Sequence, residues 1–331
     1  MQIVPAIHSN YPRVGDTPDA QKLRRAIHRW ERQEISDAEL RQVEDEVVRD
    51  VIDEQGRAGL RVVSDGMIRW YCPFSYLARK LRSVEIDGLL RYFDTNFYFR
   101  QPVVRGPIQW VEPILLRDFA YAQSLTSLPV KVVLTGPYTM ARYSIVETTV
   151  YTGRIERLTE DYAIAWSREI ERLQSAGARW IQIEEPALLR FPGDAGIVRD
   201  ALAVLADRRG HARLALALYW GNVVPLWEQL LSWPVDMLVV DFTYSPQLMD
   251  VICATGTVPK ALGLGLFDGR NTKLEDPDAV RRQLDSLVPH LADTEHHLTT
   301  SCGIELLPRD RAYAKIERVA RVARLWQGEE T

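Results

Sequence analysis

Residues 213–241, RLALALYWGNVVPLWEQLLSWPVDMLVVD, hold two compact apolar runs, Arg213–Leu218 and Met237–Val240, separated by a helical pattern over Val223–Trp233. Neither run alternates apolar with polar residues, as a half-exposed strand would. Each reads as a strand covered on both faces. A strand, a helix and a second strand in that order imply parallel pairing through a right-handed crossover.

The same unit recurs on both sides. Upstream lie Gln2–Ile7, Leu60–Ser64, Val130–Thr135 and Arg179–Ile183, and downstream Ala261–Leu266 and His297–Thr300, which makes eight runs. Amphipathic helical patterns over Asp37–Gln55, Thr159–Ser175, Ala195–Arg209, Pro277–Leu291 and Arg309–Trp326 fill most of the gaps. An open sheet of that width leaves edges to protect, so closure into a (β/α)8 TIM barrel is the economical α/β fold. An open doubly wound sheet would want a glycine-rich phosphate turn after the first strand, and IHSNYP is not one.

With 331 residues the chain fits one barrel domain, 1–331, enlarged by a long insertion after the second strand. That insertion, 66–128, is rich in Trp, Tyr, Phe, Pro and Arg and is expected to form a helix and a large loop over the barrel mouth. A net charge of -4 offers no broad basic field for phosphates, so nucleic acid is not expected as a partner. Three scattered cysteines make no disulfide framework. The opening MQIVPAIHSNYPRVGD lacks the charged start and apolar run of a signal peptide, and no segment reaches membrane-span length. A cytoplasmic setting without a membrane is the expectation.

In a barrel of this kind, polar residues just past the strands face the active site. Here they are Ser9, Asp65, Glu184 with Glu185, Tyr219 to Asn222, Asp241, Asp268 with Arg270, and Cys302. Glu184 and Glu185 are adjacent, so only one can enter the mouth while the other is braced by neighbours. A carboxylate there holds an ammonium group or works as a base, unless it is spent on an arginine. Cys302 is a ligand, a nucleophile or a small buried residue.

The segments KVVLTGPYTM (131–140), RWIQIEEPALL (179–189), PVDMLVVDF (234–242), LGLGLFDGRNTKLED (262–276) and HLTTSCGIELLP (297–308) together resemble, in order and spacing, the cobalamin-independent methionine synthase family. YPRVGD (11–16) and YFDTNFYF (92–99) resemble signatures of that family's amino-terminal barrel, whereas the chain length is that of a single-barrel form. The resemblance implies methyl transfer to an amino-acid thiol such as homocysteine from methylated folate or another donor, with zinc making the thiol reactive. Zinc does this by displacing the thiol proton.

Carried over by position, the resemblance implies metal ligands at Cys302 and Asp241, the latter in place of a glutamate. The family's remaining histidine and cysteine ligands fall at Ala217 and Tyr219, so the zinc set is incomplete unless His8 or Asp268 is borrowed. Ser9 falls where a serine binds the amino-acid carboxylate and Glu184 where an aspartate holds the ammonium, while the second ammonium ligand is replaced by Met67. Tyr143 stands for the aromatic that stacks on folate. Glu185, Tyr219 and Asn222 join the substrate-binding candidates as strand-end residues. Arg270 occupies the position of the catalytic histidine. An arginine does not release a proton at accessible pH, so it can anchor a carboxylate or phosphate instead, and either Asp268 supplies the proton or the methyl donor is not a folate.

Two other functions fit parts of this pattern. A non-catalytic barrel would act as a scaffold for a protein partner carrying the intact ligand set. A uroporphyrinogen-decarboxylase-like enzyme would need arginines facing the cavity, for which Arg270, Arg105 and Arg69 are the candidates.

Overall fold

The computed structural model describes residues 1–328. Its strands are β1 (Gln2–Pro5), β2 (Leu81–Arg91), β3 (Tyr98–Trp110), β4 (Lys131–Thr135), β5 (Ile145–Val146), β6 (Trp180–Glu184), β7 (Arg213–Leu218), β8 (Met237–Asp241), β9 (Ala261–Phe267) and β10 (Glu295–Thr300). Seven form one parallel sheet in the order β1-β10-β9-β8-β7-β6-β4. All residues of β4, β6, β8 and β9 are buried, which is why their sequences run apolar instead of alternating.

The expected strand Leu60–Ser64 closes the ring without becoming a regular strand. Ala6 bridges Val62 and Val63 bridges Val130, both in parallel sense. Arg61 N donates to Pro5 O at 2.8 Å and Lys131 N to Val63 O at 2.7 Å, so this segment is bonded on both sides. It is cut short because the Gln55 side chain takes over the backbone of Ser64: Nε2 donates to the carbonyl at 2.8 Å, and Oε1 accepts from the amide at 3.0 Å. The result is a closed eight-membered (β/α) barrel.

The outer helices include α1 (Lys22–Glu31), α2 (Asp37–Arg57), α3 (Ser75–Ala78), α4 (Leu116–Ser124), α5 (Pro137–Arg142) and α6 (Ile155–Ser175). They continue with α7 (Ala195–Ala206), α8 (Trp227–Leu230), α9 (Leu248–Thr255), α10 (Pro277–Leu287) and α11 (Arg309–Gln327). Helix α2 starts on a reciprocal capping box between Ser36 and Glu39. The helix expected over Val223–Trp233 is shorter, because a 3₁₀ turn at Val224–Leu226, which contains Pro225, precedes α8. In β9 glycine has a packing reason: a Cβ on Gly265 would lie 2.5 Å from Val240 O and 2.9 Å from Ser301 Cα.

The segment 66–128 contains helix, as α3 and α4, but the expected large loop is corrected. Its centre is an antiparallel hairpin, β2 against β3, with β5 added in parallel to β3. Two features hide the period-two signal: Pro102 and Pro107 within β3, and register shifts between Arg82 and Val84 and between Asp87 and Leu90. The hairpin tip, 92–97, reaches the carboxyl end of the barrel, where Tyr92 meets Trp220 at a ring separation of 5.2 Å.

Candidate active site

Glu184 ends β6 inside the mouth and is buried. Tyr219, just past β7, donates to its Oε2 at 2.9 Å, and Gln182, two residues back on the same face, donates to Oε1 at 3.2 Å. Below them the buried Lys131 donates to Gln182 Oε1 at 2.7 Å and to Ile7 O at 2.6 Å. Above, Tyr219 and Tyr92 bring their hydroxyls within 3.4 Å. A chain of polar contacts therefore runs from the barrel core to the hairpin tip. Burial raises Glu184 above the usual carboxylate range, while Ser9, Tyr219, Gln182 and the charge of Lys131 pull it back. Burial drives Lys131 down to about 7, opposed by Glu184. Ser9 is buried beside this carboxylate, sharing a hydrogen bond of 3.1 Å with His8 Nδ1. His8 itself is held well below the usual histidine range by burial and then by Lys131, so it is neutral.

Three of the sequence candidates turn elsewhere. Glu185 accepts from Tyr138 N at 2.9 Å, Thr139 N at 2.8 Å and Thr139 Oγ1 at 2.6 Å, so it caps the start of α5. It is a brace and not a substrate ligand; burial lifts it to about 7 against the pull of those donors. Asn222 is exposed and accepts from Val224 N at 3.1 Å, which makes it a turn residue. Asp241 accepts from Trp220 N at 3.1 Å, Thr243 N at 2.8 Å and Tyr244 N at 3.1 Å. Its carboxylate organises two loops, and burial raises it to about 6.

The residues do not fit a zinc ion. Cys302 is fully buried, and its thiol is pushed well above its ordinary range by burial and by the charges of Glu305 and Asp241. Of the other carried-over positions, Ala217 has no donor atom, the Tyr219 hydroxyl is engaged by Glu184, and Asp241 is taken by three amides. Among the described residues no group of three or more His, Cys, Asp or Glu side chains is placed to hold a metal, so neither His8 nor Asp268 completes a set.

Arg270, in the loop after β9, donates to Asp94 Oδ1 at 2.9 Å and to the Tyr244 hydroxyl, and its guanidinium sits 5.3 Å from the Trp220 ring centre. It fastens the hairpin tip to the barrel. Asp268 accepts from Arg270 N at 2.9 Å through Oδ1, and its Oδ2 has no partner among the described residues. Tyr143 is half-buried, its ring packed edgewise against Phe74, Phe93 and Phe99. Met67, Phe93 and Trp220, all around the mouth, hold positive φ of 54°, 53° and 62°, a backbone state that costs energy in a non-glycine residue. The three arginines of a polycarboxylate site do not converge. Arg69 is paired with Asp45 and Asp118, and Arg105 with Glu85 and Glu147 on the hairpin and β5 side.

Two residues absent from the sequence candidates belong to this site. Lys131 is a cation in an otherwise apolar strand, a detectable signal. Glu305 lies three positions after Cys302 and borders a cavity of about 660 Å³ formed by the loops after β1, after the Leu60–Ser64 segment and after β10. Neither oxygen of Glu305 accepts from another residue among the described ones, and Oε2 is wholly shielded. Burial and then the charge of Glu184 lift this carboxyl to about 7.

The sequence model of the family described as "Cobalamin-independent synthase, Catalytic domain" matches residues 12–203, more than half of the chain. A methionine synthase of Saccharolobus solfataricus is 28% identical over 92% of this chain and 90% of its own, and one of Sulfurisphaera tokodaii is 27% identical over 92% and 88%. Among solved structures, a B12-independent methionine synthase from Shewanella sp. W3-18-1, in complex with selenomethionine, superposes with a TM-score of 0.81 at 18% identity, covering 99% of this chain and 98% of that one. A putative vitamin-B12-independent methionine synthase from Listeria monocytogenes gives 0.75 at 18% identity, covering 98% of each chain. These two likenesses establish the barrel fold. With the family match and the closed barrel in hand, the chain belongs to the cobalamin-independent methionine synthase family.

Proposed function

We propose that this chain is an S-methyltransferase that binds an amino-acid thiol, such as homocysteine, at the barrel mouth and methylates it from an activated donor. The observation that carries this reading is the Glu184 carboxylate, buried and already oriented by Tyr219, Gln182 and Ser9. Such a group is prepared for a substrate ammonium, because its donors hold the charged form in place before the ligand arrives. Ser9 stands beside it for the amino-acid carboxylate. The selenomethionine complex of the Shewanella relative supports the same class of ligand.

The donor is constrained as well. A methylated folate must be protonated to leave, and Arg270 has no proton to give. Asp268, half-exposed with a free Oδ2, is the acid nearest in sequence. Calorimetry with L-methionine, L-homocysteine and N-acetyl-L-methionine tests the reading. Binding of the first two with loss of affinity for the acetylated form is expected; equal affinity for all three, or none, would remove its basis.

A scaffold role is the second reading, favoured by the donor set at Ala217, Tyr219, Asp241 and Cys302, which does not fit zinc. A stable complex with a chain carrying a complete zinc set, and no turnover by this chain alone, would establish it.

A further inference from the structure

The proposed thiol methylation leaves one requirement open. A free thiol is mostly protonated near neutral pH, and these residues supply no metal site to remove its proton. Something else must do so.

The two carboxylates of the mouth differ in a way that separates their tasks. Glu184 is tied by Tyr219 and Gln182, with Lys131 beneath, so its orientation is fixed and these partners oppose the rise that burial imposes. Glu305 has no such ties: no side chain or backbone amide of another residue donates to it, and it borders a cavity lined also by Asn10, Arg13 and Met67. Gly303 makes room for it, since a Cβ there would fall 2.5 Å from Glu305 Oε2 and 3.1 Å from Ser9 Oγ. A carboxylate whose charge is not held by partners changes protonation with its surroundings. That is the property of a base, whereas an ion-pair anchor is better served by the fixed orientation of Glu184.

Building on the proposed methyltransferase reading, we propose that Glu305 is the general base that activates the acceptor thiol, in place of a metal. The Glu305 carboxylate takes the thiol proton as a sulfur lone pair forms the new S–CH3 bond. The bond between methyl and donor breaks, and its electron pair leaves with the donor. The donor is either a methylated folate, whose leaving nitrogen takes its proton from Asp268, or one that departs without protonation: a methylsulfonium leaving as a neutral thioether, or a methylcorrinoid leaving as the reduced corrinoid. The proton then passes from Glu305 to water. Glu305 interacts electrostatically with Glu184 from β6, Tyr219 after β7, Tyr92 from the hairpin and Cys302 after β10, and its cavity is bordered by the ionisable groups Tyr11, Arg13, Asp16, Arg24, Tyr71 and Arg309. Arg13 has no carboxylate partner at salt-bridge distance among the described residues, since its Nε donates to Ile68 O at 2.8 Å.

The test is methyl transfer to L-homocysteine by the full chain in excess EDTA, from methylcobalamin and from trimethylsulfonium, over pH 5.5 to 8.5, alongside calorimetry with L-methionine. Wild-type rate should rise through a single ionisation near pH 7. Glu305→Gln should lose that limb and about 100-fold or more in kcat/KM, yet bind L-methionine within a few-fold of wild type. Glu305→Asp should recover part of the rate. Turnover that depends on added zinc, or a Glu305→Gln variant with the wild-type profile, would overturn the assignment while leaving the methyltransferase reading intact. Loss of L-methionine binding in Glu305→Gln with an unchanged pH limb would make Glu305 an ammonium ligand instead, and also overturns it. Wild type that neither binds nor turns over, with or without zinc, removes both.

Discussion

Arg270 Nη1 lies 2.9 Å from Asp94 Oδ1, joining the loop after β9 to the tip of the hairpin across 176 residues of sequence. Tyr244 completes the contact from the loop after β8, its hydroxyl reaching both partners. The position at which the family resemblance places a proton-donating histidine is thus occupied by a latch. Because Asp94 is largely exposed, the pair itself contributes only about 0–1 kcal/mol to stability. Arg270→Met is therefore expected to leave the unfolding midpoint nearly unchanged while speeding amide hydrogen exchange over residues 92–97 by about tenfold or more. Unchanged exchange at the tip would mean that the aromatic contacts alone hold it.

The pH dependence of stability follows from the acids whose folded-state values are raised. Glu305 stands at about 7 when folded against 4.5 in the reference state. The folded chain binds the extra proton between those values, so the contribution is fully present below about 4.5 and lost as pH rises through about 7. Glu305→Gln should match wild type near pH 4.5 and be more stable at pH 8, by on the order of 2–3 kcal/mol. Denaturant titrations of both proteins at the two pH values check this, and a variant equally or more destabilised at pH 8 would contradict it.

Tyr219→Phe removes a 2.9 Å hydrogen bond to a buried carboxylate and the contact with Tyr92 without altering the packing of the ring. A hydrogen bond to a charged group contributes about 1.5–3 kcal/mol, and a loss of that size is expected by chemical denaturation. The same variant should bind L-methionine more weakly, and more so at low pH, because Glu184 is then easier to protonate. Affinity indifferent to the change would detach Tyr219 from the ligand site.

Cys302 offers a direct probe of the metal question. Zinc titrated against a competing chromophoric chelator should show no tight stoichiometric binding, and Cys302→Ser should behave as wild type does. A tightly held zinc in wild type that disappears in Cys302→Ser would restore the four-ligand reading.

Gly136→Ala should separate brace from ligand. An added Cβ would sit 2.1 Å from Glu185 Cδ, forcing the carboxylate off three donors at the start of α5. The expected cost is roughly 3 kcal/mol or more, seen as lost soluble yield or a lowered Tm. Asn222→Ala, at an exposed turn, should cost under about 1 kcal/mol and leave ligand affinity unchanged. Weakened binding in Asn222→Ala would return that residue to the site.

The sequence by itself determined the barrel and the place of its mouth. Strands such as Ala261–Phe267 are buried on both faces, so burial is written directly into their composition and needs no partner to be recognised. Strand-end position likewise directed attention to Ser9 and Glu184, because the ends of barrel strands converge on the mouth. What the tertiary structure decided is which polar groups are already spent. Glu185, Asp241 and Asn222 read as candidates along the chain, yet each is satisfied by backbone amides that only the folded loops bring within reach. Glu305 and Arg270 show the converse. One is set apart by having no partner and the other is defined by a partner 176 residues away, and both are properties of three-dimensional neighbours that linear spacing does not carry.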